Sequence, residues 1–125
     1  MKLLYDFFDY ASITGYDENH TEYSIRLNAK HSIYQDHFPG NPVTPGVCII
    51  QIVKELVSEN RNRRLVLKKI AKVRYFKSIN PVEYPVIFVS LTVADTDEGD
   101  CNVVATVFSG DVTFTQLSMA LGRMG

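Results

Sequence analysis

Apolar and polar positions alternate from Tyr23 to Ala29, with Tyr23, Ile25, Leu27 and Ala29 apolar and Ser24, Arg26 and Asn28 between them. Period two predicts a half-buried strand. The alternation returns over Val86 to Ala94, where Ile87, Val89, Leu91 and Val93 face Ser90 and Thr92. From Ile70 to Phe76, Ala71, Val73 and Tyr75 lie opposite charged Lys72 and Arg74. The stretches 102–108 and 112–121 are rich in strand formers and are joined by the turn Ser109-Gly110-Asp111. Two segments have helical spacing instead. Leu3, Leu4, Phe7 and Phe8, with Asp6 and Asp9 among them, predict a short helix over the first ten residues. Val47, Ile49, Ile50, Val53, Leu56 and Val57 predict a longer helix to about Asn60. It is apolar around most of its first half and is expected to be buried. Ahead of it, residues 37–46 hold three prolines and two glycines, an irregular loop. One long helix followed by consecutive strands with tight turns predicts an α+β chain with an antiparallel sheet.

Composition narrows the class. A chain of 125 residues is expected to form one domain, spanning 1–125. With 46% hydrophobic residues, 11% aromatics and a net charge of −1, it is a globular composition and not a disordered one. No apolar run approaches the roughly 20 residues of a membrane span. Asp6 and Asp9 interrupt the opening stretch where an export signal would be apolar, so the expected location is cytoplasmic. Cys48 and Cys101 show no CxxC or His/Cys ligand spacing, so reduced, buried thiols and no metal site are expected.

Charge is uneven. Nine of the thirteen Lys and Arg residues lie between Lys54 and Lys77: Lys54, Arg61, Arg63, Arg64, Lys68, Lys69, Lys72, Arg74 and Lys77. Residues 95–100 carry four acids. Both segments fit solvated surface, and the basic one also fits docking of an acidic partner. Nucleic acid is not expected, because the chain is not basic overall and shows no RNA- or DNA-binding signature.

The chemistry is concentrated in His37-Phe38-Pro39-Gly40-Asn41-Pro42-Val43-Thr44-Pro45-Gly46-Val47. This stretch resembles the HFPGxPxxPGV motif of the FabZ/FabA-like β-hydroxyacyl-(acyl carrier protein) dehydratases, and every fixed position of that motif is met. The stretch from Ile70 to Pro81 is similar to the same family's strand ending before a proline turn. The likeness runs from about Tyr23 onwards. It implies the hot-dog fold, an antiparallel β-sheet wrapped around one central α-helix. It also implies removal of water from a 3-hydroxyacyl thioester to give a trans-2-enoyl thioester, in fatty-acid or polyene-type lipid synthesis. The substrate would arrive on an acyl carrier protein, and the subunits would form a homodimer, a higher dimer-based oligomer or a heterodimer. No cofactor or metal is implied.

The motif suits that reaction. The C2 proton is acidic only when the thioester carbonyl is polarised. The helix start at Gly46 and Val47 offers unpaired N–H groups and a dipole's positive end for the developing oxyanion. Gly46 permits close approach, and Pro42 and Pro45 stiffen the loop. His37 has the pKa range for a base at C2 or an acid/base at C3. Phe38, Pro45 and Val47 are the expected substrate contacts. His20 and His31 lack this context and are expected at the surface or at strand ends.

One position departs from the family. Where the family has a helix Glu, four residues after the Val of PGV, this chain has Gln51; where the family commonly has Gln, it has Glu55. An amide does not exchange protons near pH 7. It can hydrogen-bond the substrate hydroxyl or hold a water. Three explanations stand. Glu55, one turn along the same face, takes the acid role or contacts substrate, although a plain helix-surface residue is the role its position most simply predicts. Asp36 contributes or orients His37. Or the subunit works with a partner that supplies the carboxylate, as the family's sites combine a His and a helix carboxylate from opposite subunits. Two other functions fit the same fold: an acyl thioesterase, and a catalytically weak binding module for acyl carrier protein.

Overall fold

Residues 2–17, 19–36 and 40–123 are described by a computed structural model, with the backbone alone for 12–17. The apolar half of each alternating segment is buried on one side of a sheet: Ile87, Val89, Leu91 and Val93 from one strand, Val103, Ala105 and Val107 from another, Leu117, Met119 and Leu121 from a third. These belong to strands β4 (Val86–Asp95), β5 (Cys101–Ser109) and β6 (Val112–Gly122). With β1 (Phe8–Asp17), β2 (His20–Leu27) and β3 (Val66–Tyr75) they form a six-stranded sheet, ordered β1-β2-β4-β5-β6-β3. Every neighbouring pair is antiparallel.

Helix α2 (Gly46–Arg61) fills the concave side. It buries Cys48, Ile49, Ile52, Val53, Leu56 and Val57, apolar side chains spanning about half of its circumference. That broad apolar face packs into the core the sheet provides, and an antiparallel sheet around one main helix is the hot-dog architecture expected from the motif. Asn62 ends α2 in the left-handed conformation, with Arg63 N–H donating back to the Ser58 carbonyl. A shorter helix, α1 (Ser32–Asp36), precedes the Pro/Gly loop and carries no sequence signal of its own.

The helix expected over the first ten residues does not form. Leu3 to Phe7 make a turn, with Phe7 N–H donating to the Leu3 carbonyl at 2.7 Å. Tyr5 takes φ 70°, which interrupts any helical run. β1 begins at Phe8, paired with Leu27. Leu3, Leu4, Phe7 and Phe8 are all buried, so the spacing reported burial correctly and the conformation wrongly. The N–H groups of Leu3 and Leu4 find a side-chain acceptor on α2 that pattern alone does not reveal.

β1 and β3 are the sheet's edges. β3 is exposed along almost its whole length, with Leu67 and Ile70 bared at 40% and 43%. Lys68, Lys69, Lys72 and Arg74 are interleaved with them, the kind of charge that discourages unwanted strand pairing. Cys48 and Cys101 are free and buried, as expected. Burial raises both thiols, and for Cys101 a hydrogen bond to Asp95 raises it further, so neither is a primed nucleophile.

Candidate active site

The Pro/Gly loop is fastened before it reaches the helix. Thr44 N–H donates to the Ile79 carbonyl at 2.8 Å, and Tyr34 Oη meets Thr44 Oγ1 at 2.8 Å. Tyr34 is itself buried and stacks on Phe7, with ring centroids 5.0 Å apart. Burial drives its phenol pKa well up, so it stays a neutral hydrogen-bonding anchor. Pro45 then adopts φ −60°, ψ 143° as N-cap, and its carbonyl receives the N–H of Cys48 at 3.0 Å and of Ile49 at 3.3 Å. The N–H groups of Gly46 and Val47 precede any intrahelical acceptor, and no side-chain cap closes them. Gly46 and Val47 therefore head α2 as two adjacent donors.

Gly46 is glycine for a steric reason. A Cβ there would lie 2.5 Å from the Tyr75 hydroxyl and 2.7 Å from its Cζ. Tyr75 ends β3, opposite Thr115 of β6, and its ring rests on the first turn of α2. Burial raises its phenol pKa, so the hydroxyl keeps its proton and can donate. Around it lies a cleft of about 340 Å³ lined by Val43, Thr44, Pro45, Gly46, Ile49, Tyr75, Phe76, Lys77, Ser78 and Ile79. Sequence reasoning missed Tyr75: its place against Gly46 depends on the β3 register, which no local pattern encodes. Phe76 lines the same cleft under the Arg74 guanidinium, 5.7 Å from the ring centroid.

Because Tyr75 is half-exposed, its ring can swing aside. Gly46→Ala is expected to lower stability by about 1 kcal/mol in the native background, at the mild end of overpacking. In a Tyr75→Ala background the same change is expected to be stabilising, since alanine is the better helix former. A double-mutant cycle from denaturant unfolding should return about 1 kcal/mol or more of coupling; zero coupling would mean the ring does not hold this position.

The remaining predicted residues separate. Val47 is 68% exposed on the outer face of α2, unusual for valine on a helix with a buried core face. Gln51 follows on the same face and Glu55 one turn further. Glu55 is not the surface residue its position predicts: it is buried because its carboxyl is filled with donors, Leu3 N–H at 3.0 Å on Oε1 and 2.8 Å on Oε2, Leu4 N–H at 2.7 Å on Oε1, and Gln51 Nε2 at 2.7 Å on Oε2. Gln51 and Glu55 line a second hollow, of about 600 Å³, beside Lys2, Leu4, Lys54 and Ser58. No residue is common to the two hollows. Within one chain, then, Gly46 and Gln51 face different spaces. His37 and Phe38 lie outside the described residues. Asp36 ends α1 and is exposed. His20 opens β2, as expected of a strand-end residue. His31 is tied in more closely: Nε2 lies 2.9 Å from Asp6 Oδ2, and Nδ1 accepts the Ile33 N–H. Among the described residues no group of His, Cys, Asp and Glu side chains could hold a metal ion.

The basic segment is partly committed to intramolecular contacts. Arg61 pairs with Asp95 at 3.1 Å, and Arg63 donates to Cys101 Sγ at 3.5 Å. Lys77 lies over the Tyr84 ring at 5.4 Å. Arg64, Lys68, Lys69 and Lys72 are exposed. No helix among the described residues is long and apolar enough to cross a membrane.

Comparison with other proteins places the chain in a family and supports its fold. A family model described as ApeI-like, ApeI dehydratase, matches residues 13–106. The 3-hydroxyacyl-(acyl-carrier-protein) dehydratases FabZ of Geobacillus thermodenitrificans and of a second Geobacillus strain are 31% and 30% identical over 103 residues, covering 77% of this chain and 71% of each relative. Among solved structures, the dehydratase heterocomplex ApeI:P from Xenorhabdus doucetiae matches with a TM-score of 0.72 at 16% identity, over 92% of this chain and 99% of that one. A hypothetical thioesterase with coenzyme A from Streptococcus pneumoniae matches with a TM-score of 0.61 at 9% identity, over 94% and 87%. At such identities the solved structures carry the fold alone.

Proposed function

The chain belongs to the ApeI-like dehydratases, a FabZ-like family, and on that premise we propose that it removes water from a 3-hydroxyacyl thioester carried by an acyl carrier protein. The observation that carries this reading is the helix start, where the Gly46 and Val47 N–H groups stand uncapped beside a cleft and a donor-competent Tyr75. The thioester carbonyl accepts from those N–H groups, which stabilise the enolate as it develops. His37 takes the C2 proton. The C3–O bond breaks, the C2=C3 bond forms, and the hydroxide leaves as water with a proton returned by His37. Gln51 contributes a hydrogen bond to the leaving hydroxyl and no proton.

The separation of Gly46 from Gln51 into two hollows supports a site completed across subunits. A dimer would bring the His37 loop and helix start of one chain to the Gln51 face of the other. A second reading follows from Gln51 itself. A different hot-dog subunit, with a Glu at the matching position, would restore the carboxylate, and the matched ApeI:P structure is a heterocomplex. In both cases the assembly is dimer-based.

The deciding assay offers the purified protein a 3-hydroxyacyl and a trans-2-enoyl thioester of an acyl carrier protein. Interconversion without release of free thiol is the expected result. Thiol release would replace the dehydratase by a thioesterase. No turnover alone, with turnover on adding a Glu-bearing hot-dog subunit, would establish the second reading. Binding of the carrier with no turnover in any combination would leave a binding module.

Acyl carrier proteins are acidic, and exposed cations along β3 would steer one to the site. Changing Lys68, Lys69 and Lys72 together to Glu is expected to raise KM for the carrier-bound substrate about tenfold at low salt. Turnover of a short thioester without carrier should stay unchanged. Equal effects on both substrates would show that the triple change damages the site and not the docking.

A further inference from the structure

Thr44 occupies a free letter of the Pro/Gly motif, just ahead of Pro45 and the helix start, and it is held at two points. Its N–H donates to the Ile79 carbonyl at 2.8 Å, and its Oγ1 meets Tyr34 Oη at 2.8 Å. Both side chains are buried, Tyr34 at 1% and Thr44 at 4% exposure, although the motif calls for neither hydroxyl. Tyr34 comes from α1 and is braced from behind by Phe7, whose ring stacks on it at 5.0 Å. Phe7 is fixed in turn by main-chain bonds: its N–H donates to the Leu3 carbonyl at 2.7 Å, and its carbonyl accepts the Asn28 N–H at 2.9 Å. The phenol therefore reaches Thr44 from a fixed seat. Peptide units are planar and proline has a locked φ, so only ψ of Thr44 and ψ of Pro45 are soft between the Thr44 Cα and the Gly46 nitrogen. The main-chain bond at Ile79 places Thr44 but lets it pivot, and the side-chain bond removes the pivot. We propose that Tyr34 and Thr44 are positioning residues: their hydrogen bond fixes the rotation of Thr44, and with it the aim of the Gly46 and Val47 N–H groups at the substrate carbonyl.

The inference rests on the dehydratase reading for its chemistry and deepens it. Donors lower the barrier to an enolate only when they already point at the place where its charge develops. Gly46 and Val47 have no side-chain cap to hold them in that direction, so the direction is set from upstream, through Pro45 and Thr44. Neither Tyr34 nor Thr44 touches a reacting atom in this arrangement. His37 falls between the two in sequence, so the same bond ties together both ends of the segment that carries the base.

The test separates positioning from mere stability, and both from the function. Tyr34→Phe and Thr44→Val each keep the bulk of the side chain and delete one hydroxyl, which orphans the other inside the protein. Each is expected to lower the unfolding midpoint, and to lower kcat about tenfold with KM little changed, as when donors are misaimed and not lost. The double variant leaves no orphaned hydroxyl, so much of the midpoint should return. Its kcat should stay low, because an apolar contact between Phe and Val has no direction and lets residue 44 pivot. Thr44→Ser, which keeps the hydroxyl, should turn over within about twofold of the native protein. In nitrogen–proton correlation spectra the Gly46 and Val47 amide resonances should move in both single variants and in the double, while those of Leu56 and Val57 stay. Recovery of kcat together with the midpoint in the double variant would reduce the pair to a structural bond and overturn the proposal. Gly46 and Val47 resonances indifferent to both hydroxyls would overturn it as well. Resonances that move as expected in a protein with no dehydratase turnover would keep the positioning role and overturn the function.

Discussion

Replacing His37 by alanine is expected to abolish most turnover, by about 10² to 10⁴-fold in kcat, the usual worth of a general acid–base group. The fall should be steep because neither Gln51 nor Glu55 can take its place. Gln51 cannot exchange a proton at neutral pH. The Glu55 oxygens are occupied by Leu3, Leu4 and Gln51. Substrate binding should change little, since the proposed mechanism assigns the carbonyl to backbone N–H groups and not to the imidazole. The measurement is steady-state hydration of a trans-2-enoyl thioester by the native protein and by His37→Ala at matched folded concentration. Near-native turnover in the variant would remove the histidine from the mechanism. If Gln51→Glu raises native activity while His37→Ala still abolishes it, the two residues share one site and the glutamine limits its rate.

The largest effect on stability is expected from Glu55→Ala. The change deletes the acceptor of two backbone N–H groups and leaves the Leu3 and Leu4 donors beneath buried leucine side chains. An orphaned buried donor costs roughly 1–3 kcal/mol, and hydrogen bonds to a charged partner are stronger than neutral ones. A loss of about 3 kcal/mol is expected, read as a lower midpoint in denaturant with unchanged slope. Glu55→Gln, which keeps one acceptor, should lose about half as much. A loss confined to the residue 3–7 turn, with the α2 amides still protected from hydrogen exchange, would show that the turn unfolds locally. A loss below about 0.5 kcal/mol, the size of an ordinary surface substitution, would mean that water satisfies those donors.

Much of this molecule is legible before folding is considered. The alternation over 86–94 and the run of strand formers over 112–121 yield β4 and β6 almost residue for residue. The apolar positions from Val47 to Val57 yield α2. The turn at Leu3–Phe7 was not legible: the spacing 3, 4, 7, 8 is shared by a helix face and by a turn that leads into a strand. β1 was missed because its side chains give no sustained alternation and two irregularities interrupt its register with β2. The site divides in the same way. The HFPGxPxxPGV loop is a local signal and pointed to Gly46 at once. The partners of Gly46 and Gln51 are long-range, Tyr75 through a strand register and Glu55 through a turn 51 residues away. Sequence spacing places Glu55 on the face of Gln51 but says nothing about the groups that fill its oxygens.

The turn at Leu3 and Leu4 holds Glu55 by main-chain groups alone, and this bears on how the site varies under mutation. Every residue except proline supplies the same N–H, so codons 3 and 4 can drift among side chains of suitable bulk without altering the hydrogen bonds that Glu55 receives. Inheritance of the anchor is vested almost wholly in codon 55. Positions 3 and 4 can therefore vary among apolar side chains that fill the same core space, while a substitution that removes the carboxylate at position 55 disturbs the turn and the helix at one stroke.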